Sequence, residues 1–391
     1  MHSVGYMLGL FLVGPISDKL GRKNVVIFTS VACAVIGLFK SVVYSYWLYV
    51  ALETIEPLLG DCYSATFTLA IESVTKEHRP LINFVLSIFS TFGGMALTVI
   101  AWLSPNWRIF LISIYAPGFL YILYIFWMDE SIRWLLSKGK KDEADDMIRQ
   151  AAKTNNFIMD ENKLSKLNCE ENSSNVSLKT LVKLTFSSKK LFLRLLCCIC
   201  MWFTALFNAY SLLINSVSLK GNKYLNYGLT VLTGIPASVA IFYLLLKCKR
   251  KKPLIFSFLL TGTFCTAHSI VSTDYAWISI LLYVSGKFCS TIAIRIVYIY
   301  TSELFPTYTR NTMHALCSAL GRTAAIIAPQ TPLLIHYWPG LPSLIMGILS
   351  LLTACVVMLL PDTSDDVLPD NVGQAEAVGQ KEKEIDLCSR L

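Results

Sequence analysis

The stretch Gly14-Pro15-Ile16-Ser17-Asp18-Lys19-Leu20-Gly21-Arg22-Lys23 lies between two long apolar runs near the start of the chain. It places one acidic and three basic side chains in a short turn. Charged side chains at a helix end interact with the helix dipole and with each other. The pattern therefore predicts a tightly packed hairpin between two membrane-spanning helices rather than a generic loop.

The composition of the whole chain points to lipid as its solvent. Its 391 residues are 54% hydrophobic and only 15% charged, and the mean hydropathy is +0.55. A soluble domain could not bury that much apolar surface. Because about 20 apolar residues cross a bilayer as a helix, we expect an all-α membrane protein. Its eleven predicted spans are 1–15, 24–46, 47–72, 81–103, 109–128, 191–213, 224–246, 253–273, 276–301, 311–336 and 341–360.

The distribution of basic residues predicts the orientation. The net charge is +8, and most Lys and Arg residues fall on the same side as the 16–23 loop, including the run Lys247–Lys252. Cytoplasmic loops carry such an excess. We therefore expect the C-terminus in the cytoplasm and the lipid bilayer as a partner. No basic stripe is interleaved with exposed aromatic residues, so nucleic acid is not expected as a partner.

Polar residues at 129–190 divide the chain into two halves. We predict an N-terminal bundle at 1–128 with five spans, a cytoplasmic loop with short amphipathic helices at 129–190, a six-helix bundle at 191–360 and a disordered cytoplasmic tail at 361–391. A bundle of five spans beside one of six leads us to expect that a first helix is missing before residue 1.

The two halves repeat each other. Glu72 and Arg79 lie seven positions apart, as do Glu303 and Arg310, and the offset is 303 − 72 = 231 residues. Asp18 corresponds to Lys247 at an offset of 229 residues. Landmarks at a nearly constant offset indicate a duplicated helical bundle, as in two-halved transporters. The alternative is that helix ends simply attract charges.

Several strings resemble a known family. Gly14–Lys23 resembles the loop signature of the major facilitator superfamily, G-x-x-x-D-[RK]-x-G-[RK]-[RK]. The segment Glu130-Ser-Ile-Arg133-Trp-Leu-Leu-Ser-Lys-Gly139 is similar to the E-S-P-R-W-L-x-x-K-G string of the organic cation, organic anion and carnitine transporters. Residues 298–311 resemble the tenth helix of that family and the loop after it. The resemblance implies a twelve-helix, two-bundle fold, of which this chain would carry helices two to twelve.

The charged residues at the helix ends are candidates for gating. A cluster of opposite charges can hold one conformation and release another. The alternative is that these side chains only anchor the topology. The predicted gating residues are Asp18, Gly21, Arg22, Glu72, Arg79, Glu130, Arg133, Glu303 and Arg310.

Charged residues within the spans are candidates for the substrate site, because charge is costly there. Arg295, Arg322 and Asp61 reach a similar depth near the middle of their spans, about 12–17 Å from the helix ends at 1.5 Å per residue. Arg322 stands where the anion and carnitine transporters of the family tend to carry Arg. An Arg fork favours a carboxylate or sulfate. Two alternatives remain: Asp61 or Glu56 could neutralise these arginines, and the aromatic residues could be core packing. The predicted substrate-binding residues are Arg322, Arg295, Asp61, Trp202, Tyr210 and Lys287.

The resemblance implies transport of small organic ions by alternating access, and the arginines favour an organic anion or a zwitterion such as carnitine. We expect no enzymatic activity, no cofactor and no metal site, and a location in the plasma membrane. Whether a coupling ion takes part is open. The alternatives are a non-transporting membrane scaffold or fragment, and a facilitator resembling the sugar porters.

Overall fold

The computed structural model describes residues 1–60, 62–75, 78–155, 188–271, 275–305 and 307–362. The elements in these ranges are α-helices and short 3-10 helices. Helices suit the apolar runs because every backbone N–H and C=O must find a partner within the segment when no water is available. The all-α expectation is confirmed for this part of the chain.

The first of two compact units contains the described residues up to Leu86 and those from 100 to 155. Its helices are α1 (His2–Leu20), α2 (Arg22–Val42), α3 (Tyr46–Leu59), α4 (Cys62–Glu72), α5 (Arg79–Leu103, which both units share), α6 (Trp107–Tyr115), α7 (Tyr124–Trp127), α8 (Ile132–Ser137) and α9 (Lys141–Thr154). A 3-10 helix, Ala116–Leu123, joins α6 to α7. The small core includes Val13 of α1, Val25 and Val26 of α2 and Ala65 of α4.

The second unit contains Ser87–Val99 and the described residues from 188 onward. Its helices are α10 (Lys189–Ile214), α11 (Lys223–Leu232), α12 (Gly234–Lys247), α13 (Lys251–Ile270), α14 (Ala276–Leu304), α15 (Thr307–Gly321), α16 (Thr323–Ile327) and α17 (Leu341–Met358). Two 3-10 helices, Asn215–Ser218 and Ala328–His336, follow α10 and α16. α10 lies at the centre, against α14, α15 and α17, and carries the fully buried Met201 and Trp202.

Eight helical stretches of the described residues are long and apolar enough to cross a membrane. The prediction was eleven spans. The three remaining predicted spans do contain helix, but two of them are broken. The 47–72 span divides into α3 and α4 after Pro57 and Gly60, and the 311–336 span divides at Arg322 and continues as 3-10 helix past Pro329 and Pro332. Proline removes a backbone donor and interrupts a continuous helix.

Candidate functional site

The signature stretch forms a charged cluster between α1 and α2, with Arg22 at its centre. Arg22 forms an ion pair with Asp18 at 2.9 Å and a second with Glu72 at 3.4 Å. The Arg22 and Glu72 side chains are only 14% and 16% exposed, whereas Asp18 is 70% exposed. Exposed ion pairs contribute little to stability, so the exposed Asp18 adds less to this cluster than its short distance from Arg22 suggests.

Glu130 caps the start of α2 from a distant part of the chain. Its Oε1 accepts hydrogen bonds from the backbone N–H of Arg22 at 2.8 Å and of Lys23 at 3.1 Å. A carboxylate at a helix N-terminus is stabilised by unpaired N–H groups and by the helix dipole. Glu130 thereby connects the two strings that resemble family signatures.

Neighbouring side chains fasten α8 to the same cluster. The Ser131 hydroxyl donates to Glu72, and the indole N–H of Trp134 donates to the Asp18 carbonyl at 3.0 Å. Ser131 also caps α8 by accepting from the Trp134 N–H at 3.3 Å. Arg133 is exposed on α8. Of the predicted gating residues, the structure therefore brings Asp18, Gly21, Arg22, Glu72 and Glu130 together, while the Arg79 side chain lies outside the description.

The second unit repeats the central ion pair. Arg250 pairs with Glu303 at 3.4 Å, as Arg22 pairs with Glu72 in the first unit. The offsets are 250 − 22 = 228 and 303 − 72 = 231 residues. The prediction paired Asp18 with Lys247 across the repeat, and Arg22 with Arg250 is a second match that the sequence reading did not make. The Arg310 side chain is outside the described set.

Three cations lie along the membrane-embedded parts of the second unit. Lys287 and Arg295 both belong to α14: Lys287 donates to the Ala209 carbonyl of α10 at 2.7 Å, and Arg295 donates to the Ser87 hydroxyl of α5. Arg322 occupies the break between α15 and α16, where its backbone N–H bonds to the carbonyls of Ser318 and Ala319. Asp61 lies outside the described residues.

The aromatic candidates differ in their surroundings. Trp202 is fully buried, and its indole N–H donates to the Thr301 hydroxyl at 2.9 Å. Its ring packs against Tyr298 and His314, with ring centroids 4.3 Å and 5.1 Å away. Tyr210 is partly buried and packs against the core of the same unit. Trp202 thus packs within the core of its own unit, and its contact with a substrate stays a prediction.

A buried charge cluster in the first unit was missed by the sequence reading. The Lys40 ammonium bonds to Glu53 at 2.8 Å and to Glu56, and the Lys40 side chain is only 2% exposed. Glu56 also accepts from the Tyr115 hydroxyl at 2.8 Å and the Cys33 thiol at 3.4 Å. The Glu56 carboxylate is thus occupied within its own unit. An available signal was the lysine within an otherwise apolar span, facing two acids on the next helix.

The chain matches known proteins over nearly its whole length. The model of the family described as "Sugar (and other) transporter" matches residues 1–368. Solute carrier family 22 member 7 of Mus musculus is 32% identical over 97% of this chain and 71% of its own length. The organic cation/carnitine transporter 2 of Homo sapiens is 30% identical over 99% of this chain and 70% of its own length.

The fold also matches solved structures. The xylose transporter XylE from E. coli, in an inward open conformation, superposes with a TM-score of 0.70 over 97% of this chain and 88% of that chain, at 14% identity. Another structure of XylE, which is described as a major facilitator superfamily proton:xylose symporter, superposes with a TM-score of 0.66. At such low sequence identity, the structural similarity shows only that the fold is shared. The predictions of fold family and of a non-enzymatic membrane transporter are confirmed. The chain belongs to the sugar (and other) transporter family of the major facilitator superfamily, and within it is a homologue of the organic cation and carnitine transporters of solute carrier family 22.

Proposed function

We propose that this transporter carries small organic anions, or zwitterions such as carnitine, across the plasma membrane by alternating access, with its C-terminus in the cytoplasm. One observation carries the choice of substrate charge. Lys287 and Arg295 lie within α14 and Arg322 lies at the break between α15 and α16, whereas the only acidic residues between 188 and 362 are Asp274, Glu303 and Asp362. None of these three acids lies in the interior of a predicted span.

This imbalance of charge favours an anionic ligand group. Charge within a membrane is costly, and ionisable residues kept there mark the path of an ion or a substrate. Glu303 is engaged by Arg250 at the end of α14, so it does not offset the cations deeper in the helix. An arginine fork binds a carboxylate with two parallel hydrogen bonds. We assign Arg322 and Arg295 to the anionic group of the substrate, and Lys287 to the positive field around it.

The first unit has the opposite balance. Lys40 faces both Glu53 and Glu56, so the buried group carries one more negative charge than positive when His2 is neutral. Asp61 adds a further acid to the same predicted span. An excess of acid in one half and of base in the other suits a zwitterion better than a simple cation. We keep Asp61 as the partner of its ammonium group and Trp202 and Tyr210 as flanking aromatic residues.

The helix-end clusters supply the gating part of the proposal. The ion pairs Arg22–Glu72 and Arg250–Glu303 each connect a short loop to the end of a neighbouring helix in their own unit. We propose that these pairs, with Asp18, Gly21, Glu130, Arg133, Arg79 and Arg310, hold one conformation and part in another.

Uptake by cells expressing the chain tests the substrate class. Labelled carnitine, a monovalent organic anion and tetraethylammonium are compared in the wild type, in Arg322→Gln and in an Arg295→Gln/Arg322→Gln variant. Because a hydrogen bond to a charged group is worth about 1.5–3 kcal/mol, we expect carnitine or anion uptake to fall at least about tenfold at low substrate in each variant.

Lys252→Gln is the matched control, because Lys252 is an exposed cation at a helix start in the same unit. Its uptake should equal that of the wild type at equal surface expression. Preferred uptake of tetraethylammonium, unaffected by the arginine variants, would contradict the proposed anion or zwitterion preference.

A further inference from the structure

The second unit contains a cavity at the end opposite the Arg250–Glu303 pair. It has a volume of about 350 Å³ and lies among the end of α10, the end of α13, the start of α14 and the start of α17. α13 begins beside Arg250, and His268 follows 17 residues after Lys251, roughly 26 Å along the helix at 1.5 Å per residue. Ligand pockets occupy about 300–1,000 Å³, so this cavity suits a small molecule.

Two polar side chains that line the cavity have unused hydrogen-bonding atoms. Both ring nitrogens of His268 are shielded from solvent and have no hydrogen-bond partner among the described residues. The same holds for Oδ1 of Asn215, whose Nδ2 donates to the Ser211 carbonyl at 2.8 Å and to the Thr331 hydroxyl at 2.6 Å. Such unsatisfied atoms are uncommon in native proteins, and each represents a lost hydrogen bond.

A ligand can supply these missing partners. The neutral imidazole has one N–H donor and one acceptor nitrogen, while Asn215 Oδ1 only accepts. Rotation about the imidazole's broad terminal torsion would turn a ring nitrogen toward the cavity. A carboxylate oxygen then matches the His268 donor. A hydroxyl on the same ligand matches Asn215 Oδ1 after a shift of the cavity wall, because this atom is also shielded.

The rest of the lining specifies the body of the ligand. Tyr283 and Trp338 contribute aromatic surface, and the Tyr283 ring already packs edge-on against His268 with centroids 5.1 Å apart. Lys220 contributes a cation, and none of the described lining residues is acidic. We propose that this cavity is a second binding site, separate from the proposed substrate residues, for a small aromatic hydroxycarboxylate.

Equilibrium binding to the purified full chain in phosphatidylcholine nanodiscs tests this site. The labelled probe is 3-hydroxybenzoate, compared with benzoate, which lacks the hydroxyl, and with 3-hydroxybenzamide, which lacks the charge. We expect 3-hydroxybenzoate to bind at least fivefold more tightly than either relative. Equal affinity for all three probes would overturn the proposal.

Variants locate the binding and separate it from transport. His268→Phe keeps a ring against Tyr283 but removes both nitrogens, and Ala276→Trp fills the rim of the cavity at the first residue of α14. Each should weaken 3-hydroxybenzoate binding at least fivefold, while His336→Phe, at an exposed histidine outside the cavity, should leave it unchanged. The part of the binding that His268→Phe removes should be the same in an Arg322→Gln background, so failure of the proposed transport function would not remove it. Unaltered binding in both His268→Phe and Ala276→Trp would refute the site.

Discussion

At the scale of single residues, Gly21 shows why the signature turn needs its glycine. Its φ of 97° is strained for a residue with a side chain. An added Cβ would also fall inside contact distance of Glu130 Oε2, whose partner oxygen Oε1 caps α2. Addition of a methyl group must therefore shift either the backbone at Gly21 or the Glu130 carboxylate that caps α2.

We predict that Gly21→Ala destabilises the chain by about 2 kcal/mol, read as a lower unfolding temperature in detergent. Gly139→Ala is the matched control, because Gly139 also has a positive φ, 71°, but its Cβ would meet nothing within 4 Å. The control substitution should lower the free energy of unfolding by about 1 kcal/mol. In a Glu130→Ala background the extra cost of Gly21→Ala should disappear, since the crowded carboxylate is gone. An unchanged difference in that background would contradict the role of Glu130.

Lys40 carries the second prediction at this scale. Lys40→Met leaves Glu53 and Glu56 facing each other without their shared cation, so we expect a loss of about 3–5 kcal/mol. The triple variant Lys40→Met/Glu53→Gln/Glu56→Gln should recover most of it, because no charge then stays buried. Lys153→Met, at an exposed lysine, serves as control. Unfolding temperatures in detergent check the series, and a triple variant no more stable than Lys40→Met would refute the charge argument.

At the scale of helices, α13 and α17 pack closely through small residues. A Cβ on Gly347 would lie 3.0 Å from the Thr266 backbone N and 3.1 Å from the Gly262 carbonyl oxygen. Lipid does not drive helices together as water does, so membrane helices associate through small residues that let their backbones approach. Gly347 is therefore part of a helix–helix contact rather than a flexible point.

We expect Gly347→Ala to separate α13 from α17 and to destabilise the chain by about 1–3 kcal/mol, the usual cost of overpacking. Gly93→Ala is the control, because Gly93 lies within α5 and a Cβ there would meet nothing within 4 Å. Thermal unfolding in one detergent compares the two. Equal or greater stability of Gly347→Ala relative to Gly93→Ala would contradict the close contact.

Hydropathy predicted the helices well and their interruptions poorly. The apolar runs that became α2, α10, α14 and α17 are long and apolar enough to require helix in lipid. The break before Thr323 and the partners of Glu72 depend on packing between segments far apart in the chain. Composition and hydropathy contain no information about such contacts. The sequence shows that Lys40, Glu53 and Glu56 are present, but their mutual contact arises only when α2 packs against α3. The motifs predicted the family because their residues form local features, such as the turn at Gly21 and the cap of α8 at Ser131.

At the scale of the whole molecule, the topology depends on whether residues 46–72 cross the membrane. The sequence predicts a span over 47–72, while the structure forms two helices there, α3 and α4, neither of which is long enough alone at 14 and 11 residues. The two helices together, at 1.5 Å per residue, reach roughly 37 Å, more than the roughly 30 Å hydrocarbon thickness. We therefore expect the pair to span the bilayer as one interrupted segment.

Two epitope insertions test this expectation, one beside Tyr44 between α2 and α3 and one beside Val74 after α4. Both positions lie outside helices, and Tyr44 is 89% exposed. If 46–72 crosses the membrane and the 16–23 loop is cytoplasmic, antibody should reach only the Tyr44 tag in intact cells and both tags after permeabilisation. Labelling of both tags, or of neither, in intact cells would mean that α3 and α4 enter and leave the membrane on one face. Every later helix would then cross the membrane in the opposite direction. That topology is unfavourable, because the basic run Lys247–Lys252 would lie on the face opposite the 16–23 loop.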